Sequence, residues 1–311
     1  MASNLTRYAQ HIQDLRSEYR PQREWSEGRG LFLVTGHFLN GVAAGAWAFG
    51  LLYADTVALI AAFAIGGMGA LSHLGFLGRP ERAWKMVLHA RTSWISRGFI
   101  GLSLFLIGGV LYLPPLVVPA LVWPAGSLPS QIGFALALAG ALVMMVYMGF
   151  VYTASKGVPF WNSALHPVLY VGYALRGGVA VLLLIAAVRG IDAAAADGLA
   201  RLWLGITGAV VALWLFDMHH VNIGANEAAR RSLHDLIAGR VARWFYGGTL
   251  AVGLIAPALL LMGYGGAMSG GILAAVGIAS VIGDFFVKFS TIKAGVYMPL
   301  RPRPSPRPVP A

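Results

Sequence analysis

The sequence predicts an all-α integral membrane protein of eight transmembrane helices, and three observations lead there. Apolar residues fill 58% of the 311 positions and charged residues only 11%, with a mean hydropathy of +0.70; a soluble domain carries about twice that charged fraction. Apolar windows close to the ~20 residues that cross a bilayer core recur along the chain. The cations collect in alternate connections between those windows, which is the bias that orients membrane proteins. A formal net charge of +11 is thereby explained by topology, and nucleic acid is not an expected partner.

Taken in order, residues 1–30 form a cytoplasmic amino-terminal segment that mixes acids and bases without an apolar core, so a cleavable signal peptide is not expected. Within it Leu5, Tyr8, Ile12, Leu15 and Tyr19 recur at steps of three and four. That is an apolar stripe on a charged helix, suited to lying on the bilayer or on a partner. The transmembrane domain is expected over 31–297, with spans near 31–52, 55–77, 96–113, 131–153, 165–188, 200–217, 242–264 and 271–297. Residues 114–130, PPLVVPALVWPAGSLPS, are apolar but broken by prolines. Each proline removes a donor that regular helix needs, so a re-entrant or surface-lying connection is predicted. Residues 298–311 end in RPRPSPRPVPA, an extended polyproline-like tail unable to pack a core.

Twenty of the 23 lysines and arginines fall in the amino-terminal segment, in the connections after spans 2, 4 and 6, and at the last helix end with its tail. The other three are Arg176 inside span 5, and Arg189 and Arg201 beside acids on the opposite face. The positive-inside rule then places both termini in the cytoplasm, in the inner (cytoplasmic) membrane. An even number of spans requires the termini to share a side, so the two readings agree. There are no cysteines, which excludes disulfides, cysteine-ligated iron–sulfur clusters and thiol nucleophiles within this chain.

Ionisable residues inside spans are costly and mark function. His37 and Asn40 lie in the first two turns of span 1, His73 ends span 2, His166 opens span 5, and Asp217, His219 and His220 close span 6, all toward the cytoplasmic face. Arg176 sits near mid-membrane. Asp284 is near the middle of span 8, and Lys288 follows at the spacing of an intrahelical ion pair. A path of Lys288, Asp284 and Arg176 thus leads inward from the histidine-rich leaflet. The small residues Gly41, Gly45 and Gly66 to Gly69 read as close helix packing rather than a ligand cleft. A b-type haem is a rival use of membrane histidines, but bis-histidine ligation needs facing pairs at matched depth, and the outer leaflet offers no histidine.

The stretch HLGFLGRPERAW followed by RTSWISRG resembles the signature of the NrfD-like family, which includes polysulfide-reductase and DMSO-reductase membrane anchor subunits. VYTASKGVPFWNSALHPVLY and DFFVKFSTIKAGVYMPL continue the resemblance over most of the chain. It implies two packed four-helix bundles, no haem, and a quinone site (ubiquinone or menaquinone) near the face where an iron–sulfur subunit docks. A molybdopterin subunit would carry out the substrate chemistry, so iron–sulfur clusters and molybdopterin are expected only on partners. His73 matches the motif histidine implicated in quinol binding, and His37 with Asn40 looks like the polar pair framing the head group. Tyr147 and Tyr152 are candidate donors, and Trp84 or Trp94 a stacking or capping residue. Arg91 and Arg97 serve topology or partner docking. Because the histidine-rich face is also the cation-rich one, the docking face would be cytoplasmic, as in relatives that oxidise sulfite or an acyl-CoA.

A quinone couples two electrons to two protons, so its head group needs donors and a proton route, and a histidine titrating near neutral supplies both. His73, Asp284, Lys288 and Arg176 are accordingly the candidate reactive residues. Two other classes stay open. A proton or solute transporter places polar groups at the midplane, and a purely structural anchor needs no polar pocket.

Overall fold

The computed structural model describes residues 2–118, 120, 122–224, 226–263 and 269–299. A short charged helix α1 (Ala2–Arg16) precedes α2 (Gly30–Leu52), α3 (Thr56–Phe76), α4 (Trp94–Tyr112), α5 (Leu128–Thr153), α6 (His166–Arg189) and α7 (Ala193–Ile223). The amphipathic α8 (Glu227–Ile237) then leads to α9 (Ala242–Met262) and α10 (Gly270–Ala294). All of these except α1 and α8 are long and apolar enough to cross a membrane, eight in total among the described residues. We call the end at which α2 begins and α10 finishes the proximal end, and the other the distal end.

Boundaries depart from the expected ones where capping side chains act. The sixth span runs from Ala193 to Ile223 rather than 200–217. The Asp192 side chain accepts from the Ala195 amide at 2.8 Å and starts the helix early, satisfying an orphan donor of the first turn. At its far end the helix continues through His219 and His220, which are exposed. Ser93 caps the third span, which therefore begins at Trp94. In the proline-broken connection, Pro114–Val117 adds one helical turn to α4, and the Trp123 indole donates to the Leu111 carbonyl at 3.1 Å.

The last helix stops at Ala294 rather than near 297, because the chain beyond it pairs with the amino-terminal segment. Pro21 and Val296 form an antiparallel bridge, Gln22 donates to the Gly295 carbonyl at 2.9 Å and Tyr297 to the Arg20 carbonyl at 2.8 Å. Of the stripe expected on α1, Tyr8 and Leu15 are exposed, and the Leu5 side chain lies outside the described residues. Among the described side chains of α1 the buried one is Asp14, which accepts from Arg23 at 2.7 Å. Residues 300–311, most of the expected tail, also lie outside the described residues.

Packing places α2 and α6 at the centre and leaves α7 and α9 at the periphery. Gly45 and Gly178 bring α2 and α6 into backbone contact: a Cβ on Gly178 would fall 2.4 Å from the Gly45 carbonyl carbon, as small residues permit between membrane helices. α3 lies along α2 and α4 along α5, yet α3 and α4, consecutive in sequence, scarcely touch. At the distal end Arg189 pairs with Asp55 and Arg201 with Asp197, which neutralises two of the three cations outside the proximal cluster.

Candidate functional site

Because α3 and α4 diverge, a cavity of about 300 Å³ remains between them at the proximal end. Its walls are apolar over most of their area: Ala70 and Leu74 from α3, Phe99, Leu102 and Leu106 from α4. Leu74 and Ile95 line it while also being 42% and 48% exposed, so the cavity reaches the outer surface between the two helices. From Ile95 to Leu106 the wall descends about 16 Å at ~1.5 Å per residue. The connection Pro80–His89 winds as a 3₁₀ helix and roofs the cavity with Ala83 and Met86.

One wall is polar. His37 from α2, His73 from α3 and Tyr147 from α5 all line the cavity. The His37 and His73 rings meet edge to face, with centroids 5.1 Å apart. His73 Nε2 lies 3.4 Å from the Tyr147 hydroxyl, and His37 Nδ1 lies 3.2 Å from the Tyr152 hydroxyl. Each imidazole therefore has its own phenolic partner, and the site can both donate to and accept from a bound carbonyl or hydroxyl.

Of the residues predicted from sequence, His37, His73 and Tyr147 reach the cavity. Asn40 and Tyr152 stand one layer behind it. Tyr152 is buried against His37, and Asn40 is buried beside Tyr147 with its Oδ1 lacking a hydrogen-bond partner. The two tryptophans do not line the cavity. Trp84 is 60% exposed on the outer side of the 3₁₀ helix. Trp94 stacks on Phe150 at 4.2 Å beneath the Arg97 guanidinium. Arg97 itself donates to the Ala90 and Arg91 carbonyls and so ties down its own loop.

Three glycines that the sequence marks only as packing positions, or not at all, set the polar wall. A Cβ on Gly36 would fall 2.5 Å from His73 Nδ1, one on Gly69 2.1 Å from Asn40 Oδ1, and one on Gly98 2.2 Å from the Tyr147 ring. Each lets a polar side chain lie flat on a neighbouring helix. Gly98 closes the motif RTSWISRG, and that was the available signal. Trp25, from the segment before α2, also lines the cavity; nothing in the local pattern marked it.

The predicted inward path is rearranged. Asp284 pairs with Arg176 rather than with Lys288. Arg176 also donates to the Gly253 carbonyl and to Thr207 Oγ1 at 2.9 Å, with its guanidinium over Trp203. It thus joins α6, α7, α9 and α10. The π-helical winding of Phe245–Ile255 and the backbone contact of Gly253 with Gly283 bring α9 within its reach. Lys288 is buried instead among the rings of Phe38, Tyr170 and Tyr173, 5.6–6.0 Å from their centroids. Tyr170 stacks on Tyr152 at 5.3 Å and meets Tyr173 at 5.6 Å, so the run from the cavity goes His37, Tyr152, Tyr170, Tyr173 and then the charged cluster. His166 lies apart from the cavity, 3.5 Å from Asp217, whose other oxygen accepts from Ser163.

Residues 30–299 match the family model described as "Polysulphide reductase, NrfD". The chain is also 26% identical over 293 residues to Protein NrfD of Escherichia coli (strain K12), an alignment taking in 83% of this chain and 92% of that protein.

Proposed function

This chain belongs to the polysulphide reductase NrfD family of membrane subunits of oxidoreductase complexes, and we propose that its α3–α4 cavity binds the head group of a membrane quinone. The observation that carries this reading is the convergence of His37, His73 and Tyr147 on one wall of a mostly apolar slot that opens between two membrane-spanning helices. A quinone has that division of character: an isoprenoid tail for the apolar descent along α4, and ring oxygens that accept or donate hydrogen bonds. The residues fit the group: His37, His73 and Tyr147 face the space from one side, Ser103 on α4 also lines it but spends its hydroxyl on the Phe99 carbonyl, and the buried Asn40 Oδ1 behind the histidines has acceptor capacity unspent.

When bound, quinone would supply the two-electron carrier, its electrons passing to or from an iron–sulfur partner subunit at the proximal face, with a molybdopterin subunit beyond it for the soluble substrate. The chain's own residues position and move protons. His73 and Tyr147 would hold one ring oxygen, with a proton available at Nε2 or the phenolic oxygen, while Tyr152 would orient His37 toward the other. Tyr170, Tyr173, Lys288, Asp284 and Arg176 extend the protic run inward from Tyr152. The apolar walls exclude bulk water, which strengthens every hydrogen bond made inside.

Both termini are assigned to the cytoplasm from the cation bias. A carboxy-terminal alkaline phosphatase fusion is then inactive, and full activity of that fusion reverses the orientation. The binding reading is tested by solvent extraction of the purified complex. Quinone recovered in near-stoichiometric amount with this chain supports it, and a quinone-free complex that also takes up no added quinone removes it.

A further inference from the structure

We propose that Trp25 is a quinone-binding residue, closing over the head group from the partner-facing side, an assignment that rests on the cavity being a quinone site. Trp25 belongs to no membrane span. It lies five residues before α2, in the segment that pairs with the carboxyl end of α10, yet it lines the cavity together with His37 and His73. The indole is half-buried: it stacks on Trp161 at 5.2 Å and 26° and meets Tyr152 edge-on at 6.0 Å. An aromatic face held against an aromatic support, with its remaining surface bordering a cavity, is a stacking platform for a flat conjugated ring.

The chain is built to hold it there. After Trp25 the backbone reverses through Gly28, at φ +55°, and doubles back so closely that a Cβ on Gly30 would fall 2.4 Å from the Glu24 carbonyl oxygen. Three tethers fix the reversal. The Trp25 amide donates to the Gln22 side chain at 3.2 Å, the Glu27 carboxylate accepts from Lys293 at 2.5 Å, and Arg29 donates to the Gly75 and Leu77 carbonyls at the end of α3. The last of these joins the segment to the helix that carries His73. The head group would therefore lie between the polar wall and the Trp25 indole, and the segment carrying Trp25 would lie between the quinone and the docked partner.

The test is a titration of tryptophan fluorescence in the complex purified from membranes, using decylubiquinone and a short-chain naphthoquinone as probes, alongside quinone-linked turnover. The native complex is expected to show saturable quenching. Trp25→Ala should lose a large part of that quenching and raise both the dissociation constant and KM about tenfold, with kcat within about twofold, the signature of lost binding rather than lost chemistry. Trp25→Phe should keep most of the affinity and Trp25→Leu should not, which separates an aromatic platform from mere filling of space. Trp123→Phe, at the distal end, controls for general loss of emission. Native affinity and native quenching in Trp25→Ala overturn the assignment and leave the quinone reading standing. Absence of saturable quenching in the native complex, with no quinone recovered on extraction, overturns that reading and the assignment with it.

Discussion

The His37 and His73 rings meet edge to face at 5.1 Å, yet each turns a ring nitrogen to a different tyrosine, His37 to Tyr152 and His73 to Tyr147. The pairing makes two histidine–tyrosine units, with His37, His73 and Tyr147 on one wall of the cavity and Tyr152 behind it. On the proposed reading, each unit would serve one oxygen of a single ring.

The two units should fail in the same way. His73→Ala, Tyr147→Phe and His37→Ala should each lower quinone-linked turnover, the histidine variants by about 10² to 10⁴, as expected for loss of a positioned acid–base group. Activity of the partner subunits with a soluble redox dye should persist. Native quinone turnover in both histidine variants would show that these side chains only fill space at the end of a helix.

The wall can also be displaced without removing a functional group. Gly98→Ala should push the Tyr147 ring and Gly69→Ala the Asn40 amide, since the added carbon would lie 2.2 and 2.1 Å from those side chains. Overpacking of this kind costs about 1–3 kcal/mol, and quinone-linked turnover should fall with it. Gly67→Ala meets nothing within 4 Å and should leave thermal stability and turnover unchanged. Equal behaviour of the three variants would contradict the geometry.

Arg176 and Asp284 form a buried pair that joins four helices. Removing one partner strands the other charge, so Arg176→Met or Asp284→Leu should cost about 3–5 kcal/mol, whereas the double substitution should recover much of that loss. Thermal unfolding in detergent reads this directly. If the two single losses simply add in the double variant, the residues are not coupled.

At the proximal surface, burial alone would raise the Glu27 carboxyl. The Lys293 ammonium and the Arg23 guanidinium outweigh it and hold the group below the usual carboxylate value. A lowered folded value means that this clasp of Glu27 with Lys293 and Arg23 is fully stabilising above the unfolded pKa, about 4.3 for a free glutamate, and that contribution is lost as pH falls through the folded value. Hydrogen exchange of amides 22–29 should therefore accelerate on acidification below about pH 4.5 beyond the intrinsic trend. Glu27→Gln should exchange faster at neutral pH and lack that added acid response; an identical profile in native and variant chains would exclude the clasp.

Much of this was legible in the chain. Eight spans and the polar residues gathered at one end of them follow from composition and position, because water exclusion leaves little freedom in where charge can sit, while singling out His37 and His73 needed the family motif as well. Partner choice was less legible. Lys288 stands four residues from Asp284, but Arg176 from another helix reaches the carboxylate first, and no spacing rule reports a neighbour 108 positions away. The tyrosine relay was half visible: Tyr147 and Tyr152 stood out on the fifth helix, while Tyr170 and Tyr173 were hidden among apolar neighbours. Trp25 was invisible for a similar reason, since a reversal at Gly28 and Gly30 brings a surface segment back over a membrane cavity. Trp84 and Trp94 were visible as an aromatic pair beside a basic loop, but the 3₁₀ winding turns Trp84 outward and Phe150 takes up Trp94.

Photolabelling of the native complex with an azidoquinone, followed by peptide mapping, tests the central claim most directly. Label that excess quinone competes away should fall in residues 70–77 and 95–106, the two helices that bound the cavity. Competable label confined to α7, α9 or α10, with none on α3 or α4, would contradict it.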